Sequence, residues 1–117
     1  MYKIIVYKTA RGDVPLKEYF DYMTARGKEA SVTRARFYIK LLEEHGKAIN
    51  MYQNEAMKPI DDRISELRPG KIRILFFEFH GNQFVLLHGF TKSTQKTPKL
   101  EKNKAKSEMN DFLRRNE

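Results

Sequence analysis

Residues 66–92 read "ELRPGKIRILFFEFHGNQFVLLHGFTK", and how this stretch pairs with itself decides the fold. Its β-branched and aromatic residues, punctuated by Pro69-Gly70 and Gly81-Asn82, predict three strands, at about Ile64 to Arg68, Ile72 to His80 and Phe84 to Lys92. Gly81-Asn82 suits a two-residue hairpin turn, because glycine accepts the positive φ that such turns require. Pro69-Gly70 is a second turn signal. With His80 facing Gln83, Leu75 lies opposite His88, Arg73 opposite Phe90 and Lys71 opposite Lys92. Opposed residues point to the same side of a sheet. One face is therefore expected to carry Lys71, Arg73, Leu75, Phe77 and Phe79 beside Lys92, Phe90, His88, Leu86 and Phe84. Pairing Arg68 with Lys71 adds Arg68, Glu66 and Ile64 to it. Ile72, Ile74, Phe76, Val85, Leu87 and Gly89 form the other face, apolar enough to lie under helices. The first face is split along its length, apolar at Phe79/Phe84 and cationic at Arg73/Lys92. Burying unpaired charge costs several kcal/mol, so the cationic end is expected to stay open.

The remaining chain supplies those helices. Tyr2 to Lys8 reads as a first strand. Asp13 is expected to cap a helix with Pro15 in its first turn, and Leu16, Tyr19, Phe20 and Met23 follow as one apolar stripe up to Gly27. A second helix, Glu29 to His45, buries Val32, Ala35, Ile39 and Leu42 and stops at Gly46. The stretch "KAINMYQNEAMKPIDD", residues 47–62, reads as a polar connection. Thr97-Pro98 opens a last helix whose Ala105, Met109, Phe112 and Leu113 share a stripe. The order β-α-α-β-β-β-α makes a single α+β domain over residues 1–117, a small antiparallel-rich sheet with a helical hairpin packed on one face.

Composition narrows the function. The chain has 117 residues, 40% of them hydrophobic, enough for one core. With no cysteine, disulfide scaffolds, zinc-thiolate sites and thiol nucleophiles are excluded, and a reducing cytoplasm is the expected compartment. The apolar run at the N-terminus contains Lys3 and reads as a strand, not a leader. Nothing approaches the roughly 18 consecutive apolar residues of a membrane span, and no membrane partner is expected. The net charge of +8 favours phosphate-rich partners and suits an acidic protein equally well. The histidines are too scattered for a metal ligand set, so neither metal nor cofactor is expected. Glycine-rich phosphate loops, nucleophile elbows and a basic helix-turn-helix are absent from the sequence.

The cationic end carries the candidate chemistry. Arginine offers phosphate a planar fork and lysine a point charge, while Phe90 beside Arg73 offers a base a stacking surface. RNA brings its own nucleophile, the 2′-hydroxyl, so cleavage needs a base, an acid for the departing 5′-oxygen and cations on the transition state. His88 titrates in the right range when unperturbed; Glu66 or a lysine is the alternative proton carrier. Each residue also has a structural reading. Arg73 and Glu66 can form a cross-strand ion pair, His88 can be a packed strand histidine, and Lys58 an exposed loop residue. The six lysines of residues 92–106, against the single acid Glu101, can be the solvated side of a helix. His45 and His80, at a helix end and a turn, are assigned no role.

The stretch "SELRPGKIRILFFEFHGNQFVLLHGFTKSTQKTP", residues 65–98, resembles the phage-related HigB-type branch of the RelE toxin superfamily. The shared features are Glu66-Leu67-Arg68, a turn, an aliphatic strand opened by Arg73, a strand running from Leu87 to Lys92, and Thr94-Gln95-Lys96-Thr97-Pro98 before a terminal helix. The resemblance is detailed from Lys58 onward, about half the chain; the β-α-α start agrees in architecture alone. It implies a RelE-like fold and a ribosome-dependent endoribonuclease that cleaves translated mRNA and arrests growth. It also implies a helix-turn-helix, HigA-like antitoxin, with operator DNA bound only through that partner. By position, Arg68 and Arg73 match the family's sheet arginines and Lys92 and Lys96 its cationic strand end, with Lys58 matching loosely. The catalytic set expected on this basis is Arg73, Arg68, Lys92, His88 and Glu66; RNA is expected to touch Lys58, Lys71, Phe90, Lys96 and Lys99. Ser93 stands where many relatives have a second lysine, and Ile72 replaces the usual aromatic before Arg73. A non-catalytic RNA- or ribosome-binding module using the same face is the alternative, and a purely protein-binding domain a third.

Overall fold

The computed structural model describes residues 1–94 and 96–116, so Gln95 of the Thr94–Pro98 motif lies outside the described residues. The chain runs β1 (Lys3–Val6), α1 (Pro15–Ala25), α2 (Glu29–His45), β2 (Met57–Pro59), β3 (Ile64–Leu67), β4 (Ile72–Phe79), β5 (Gln83–Thr91) and α3 (Lys99–Asn116). Five strands form one sheet in the order β1-β5-β4-β3-β2; β1 runs parallel to β5 and the other pairs are antiparallel. The α+β class, the helical hairpin and the terminal helix agree with the sequence reading. The connection at residues 47–62 does not. It holds a 3-10 helix, Gly46–Met51, and the edge strand β2, anchored by buried Ile49 and Ala56.

Local sequence explains most boundaries. Pro15 starts α1, where its missing N–H leaves no intrahelical bond unmade. Asp13 is not the cap: Val14 holds that position without a side-chain hydrogen bond, and the Asp13 N–H instead donates to Thr9 Oγ1 at 3.0 Å. Gly46 closes α2 at φ 57°, with the Tyr2 ring packed so tightly on it that a Cβ would overlap the ring. In α2 the buried stripe is Val32, Ala35, Tyr38, Leu41 and Leu42, with Ile39 only half-buried.

Two departures inside the hairpin of β4 and β5 cancel. Phe79 pairs with Gln83, so the loop is His80-Gly81-Asn82 and not two residues. His80 and Gly81 supply positive φ values of 57° and 76°. That extra residue would shift every later pair by one. A bulge follows, however: Phe76 pairs with Leu86 while Leu75 pairs with His88, leaving Leu87 unmatched. Beyond it, Arg73 faces Phe90 and Ile72 faces Thr91, the register expected from sequence.

The bulge re-sorts the faces between it and the turn. Phe84 and Leu86 join the core beneath α1 and α2, with Ile72, Ile74 and Phe76. Val85 and Leu87 join the opposite cluster with Ile64, Leu75, Phe77, Ala105 and Phe112. These four residues are thus on the reverse of the expected faces. The β3–β4 loop is also two residues longer than expected: Leu67 pairs with Ile74 and Glu66 with Leu75. A shift of two preserves which side each residue faces, and Glu66 stays with Arg73.

Candidate functional site

α3 covers the second face, and its contacts define what remains open. Ala105 and Phe112 pack on Phe77 and Phe79, with the Phe112 ring edge-on to both. His88 is only 2% exposed. Its Nδ1 lies 2.6 Å from Glu108 Oε1 and its Nε2 2.9 Å from Glu101 Oε1, so both ring nitrogens are engaged by carboxylates of α3. This removes His88 from the surface where a substrate would meet it. The expected proton carrier is instead the point at which α3 is fastened to β5. Phe90, 9% exposed, is packed in the same cluster and offers no open stacking face, which corrects the second expectation.

Glu66 is the centre of the polar end. It is 5% exposed, accepts a hydrogen bond from Thr97 Oγ1 on Oε1 at 2.7 Å, and turns Oε2 toward two guanidinium groups. Arg68 Nε stands 3.5 Å from that oxygen and Arg73 Nε 3.8 Å. Arg73 is itself 6% exposed, and its Nη1 donates to the carbonyls of Gly70 at 2.7 Å and Ile72 at 2.9 Å. Burial pushes the Arg73 guanidinium below its ordinary pKa, Glu66 opposes that shift and Arg68 adds to it. An arginine still stays protonated under such conditions. The expectation of a wholly open cationic end therefore needs correction: Arg73 is largely enclosed and braces the β3–β4 turn, with one flank toward solvent. Arg68 Nε is buried without a hydrogen-bond partner among the described residues, and Arg68 Nη1 reaches only the exposed Glu55, at 3.8 Å.

Two depressions flank this carboxylate. One, of about 450 Å³, is walled by Gly70, Lys71, Arg73, Lys92, Ser93 and Thr94. The Lys92 N–H donates to the Lys71 carbonyl at 2.7 Å, which fixes the two lysines on adjacent strand ends. The other, of about 300 Å³, includes Lys58, Arg68, Lys96, Thr97 and Lys102 in its walls. Glu66, Lys96 and Thr97 also wall a narrow gap that Arg73 and Lys92 share. The structure therefore brings Arg68, Arg73, Lys92, Lys71, Lys96 and Lys58 around Glu66. Lys58 is exposed on β2, not in a loop. Lys99 is exposed in the first turn of α3 and walls neither depression.

Sequence reading missed Thr97, Glu101, Glu108 and Lys102. Glu101 lies four residues before Ala105 and Glu108 three after it and four before Phe112, so reading the acids on that helical stripe would have found the partners of His88. Among the described residues no group of histidine and carboxylate side chains is arranged to hold a metal ion. No helix among them is long and apolar enough to cross a membrane.

A mixed five-stranded sheet with a helical hairpin on one side and a terminal helix on the other is consistent with a RelE-like α+β fold. The chain belongs to the phage-derived Gp49-like protein family (DUF891), whose family model matches residues 27–110. This is a toxin-like family, of HigB/RelE type, found in toxin–antitoxin systems. No curated protein matches the chain.

Proposed function

We propose that the protein is the toxin of a type II toxin–antitoxin pair, a ribosome-dependent endoribonuclease that cleaves translated mRNA and arrests growth in the cytoplasm. The observation that carries this reading is the open depression in which Arg73, Lys71 and Lys92 meet, with its floor braced by a buried carboxylate. In the proposed reaction the 2′-oxygen attacks the adjacent phosphorus, the 5′-oxygen departs and a 2′,3′-cyclic phosphate remains. Arg73 and Lys71 hold the phosphate, and their charge stabilises the oxyanions of the transition state. With His88 enclosed and Glu66 committed to Thr97 and the arginines, Lys92 and Lys96 are the groups placed to move protons. The route needs no metal, because RNA supplies the nucleophile. Holding the message in one geometry on the ribosome supplies much of the rate, so free RNA is a poor substrate. The partner in this reading is an antitoxin of the HigA-like helix-turn-helix kind, through which operator DNA is bound.

Lys92→Ala tests the reading better than Arg73→Ala, because Arg73 also supports the turn. Expressed without antitoxin, Lys92→Ala is expected to restore growth and to abolish breaks mapped by primer extension on translated messages, with the melting temperature unchanged. Wild-type expression that slows growth without breaking any message would favour the second reading, a non-catalytic ribosome-binding module. The enclosure of His88 and Glu66 is the observation on its side.

A further inference from the structure

We infer that the site grips two backbone phosphates of one RNA strand, the second in the depression between β2 and the start of α3; this rests on the reading above. The two depressions are separated by the Glu66–Thr97 bond, and each has its own set of cations. Arg73, Lys71 and Lys92 serve the first. Lys58, Arg68, Lys96 and Lys102 serve the second, and come from β2, the end of β3, the loop before α3 and α3 itself.

Three features mark the second depression as built for an anion. Glu66 is the only acid among its described walls, set against four cations, with the exposed Glu55 reaching Arg68 only at 3.8 Å. Arg68 Nε faces Glu66 Oε2 at 3.5 Å without a hydrogen bond among the described residues, and Arg68 Nη1 comes no closer than 3.8 Å to the exposed Glu55. The outer guanidinium nitrogens are thus loosely held and can fork a phosphate. Finally, the lysine-rich start of α3 is held in place by two part-buried polar attachments, Thr97 to Glu66 and Glu101 to His88. A helix that only displayed solvated lysines would not need its first turns pinned to the sheet. A phosphate in the first depression and another in the second would straddle the Glu66 ridge, with Lys96 walling both the gap and the second depression.

Lys102 belongs to this second set alone, so it separates the inference from the reaction. The test uses the purified full chain and a 2′-O-methylated uridine trinucleotide, with either of its two linkages replaced in turn by a neutral methylphosphonate. Binding is followed by fluorescence anisotropy across a salt series. In the wild type, neutralising either linkage is expected to weaken binding several-fold. In Lys102→Ala, one of the two linkages is expected to lose its importance while the other keeps it. The plot of log affinity against log salt should also be shallower by about 0.7, the slope expected for one lost single-strand phosphate contact. A Lys102→Ala chain still penalised at both linkages, a wild type indifferent to one of them, or no binding at low salt would overturn the inference. Primer extension on translated messages reads the reaction separately. Cleavage with a single sensitive linkage sinks only the second subsite, whereas two sensitive linkages without cleavage sink only the ribonuclease.

Discussion

Beneath α1 and α2 the sheet offers Ile72, Ile74, Phe76, Phe84 and Leu86 to Leu16, Phe20, Val32 and Leu42, an apolar seam throughout. Beneath α3 the sheet offers Leu75, Phe77 and Val85, but also the buried Glu66, Arg73 and His88, and α3 answers with the buried Glu108. The first interface is held chiefly by burial, which is non-directional and tolerates small shifts, with one Tyr19–Thr91 hydroxyl contact of 2.7 Å beside it. The second depends on paired polar groups, which are directional and costly to leave unpaired. One layer therefore carries the stability of the domain, and the other fixes where a few side chains sit.

That contrast can be broken from either side. The largest effect is expected in the apolar seam: Phe76→Ala should cost about 3–5 kcal/mol in urea unfolding, as large-to-small changes in well-packed cores do. His88→Ala comes next. It strands Glu101 and Glu108 facing an empty site, and should lower stability by about 1–3 kcal/mol. Its effect should be concentrated in α3, read as faster amide exchange there than in α2. Exchange rising equally in both helices would show that the two layers are not separable.

Glu66→Gln is expected to be milder for stability, because the amide oxygen can still accept from Thr97. Its main effect should be on cleavage, since neutralising the carboxylate releases both guanidinium groups from a common anchor. Transcript cleavage falling while the melting temperature holds would confirm that division; the reverse would make Glu66 purely structural.

The smallest expected effect is a pH dependence at the far end of α3. Asp111 accepts from Tyr7 at 2.6 Å and pairs with Arg115 at 2.7 Å. The Arg115 and Tyr7 hydrogen bonds hold its carboxyl at about 2, below the ordinary 3.8. A depressed folded value means that the contribution is complete above the unfolded value and is lost as acid is added. The loss should therefore run from about 3.8 down through about 2, and Asp111→Asn should remove that segment from the stability curve. Tyr7 is shifted the other way, to about 12, by burial and by the same carboxylate. Its contribution should accordingly fade as pH rises from 10.0 through about 12, followed as the late titration of the Tyr7 phenol.

Much of this could be read from residues 66–92, for a specific physical reason. Side chains alternate along a strand, so shared faces depend only on whether register shifts are odd or even. The β3–β4 loop erred by two and preserved the faces. The hairpin erred by one at His80 and recovered it at Leu87, so the error fell only on Phe84 to Leu87. Arg73, His88 and Glu66 thus came out on one side, as expected. The alternation held no sign of the bulge, because Val85, Leu86 and Leu87 are all apolar and satisfy either face. Nor did it reveal the burial of His88, which is decided by two glutamates on a helix more than ten residues away in sequence. Strand β2 was hidden by its length and by Pro59, both ordinary at a sheet edge.

The parallel pairing of β1 with β5 has a consequence for how the protein comes into being. The first strand made finds its neighbour only among residues 83–86, and the lysines and glutamates of α3 arrive later still. A nascent chain that stops short of its final helix lacks the clamp on His88 and the Lys102 wall of the second depression. The α3 side of the sheet is therefore completed only after residues 101–108 have been made.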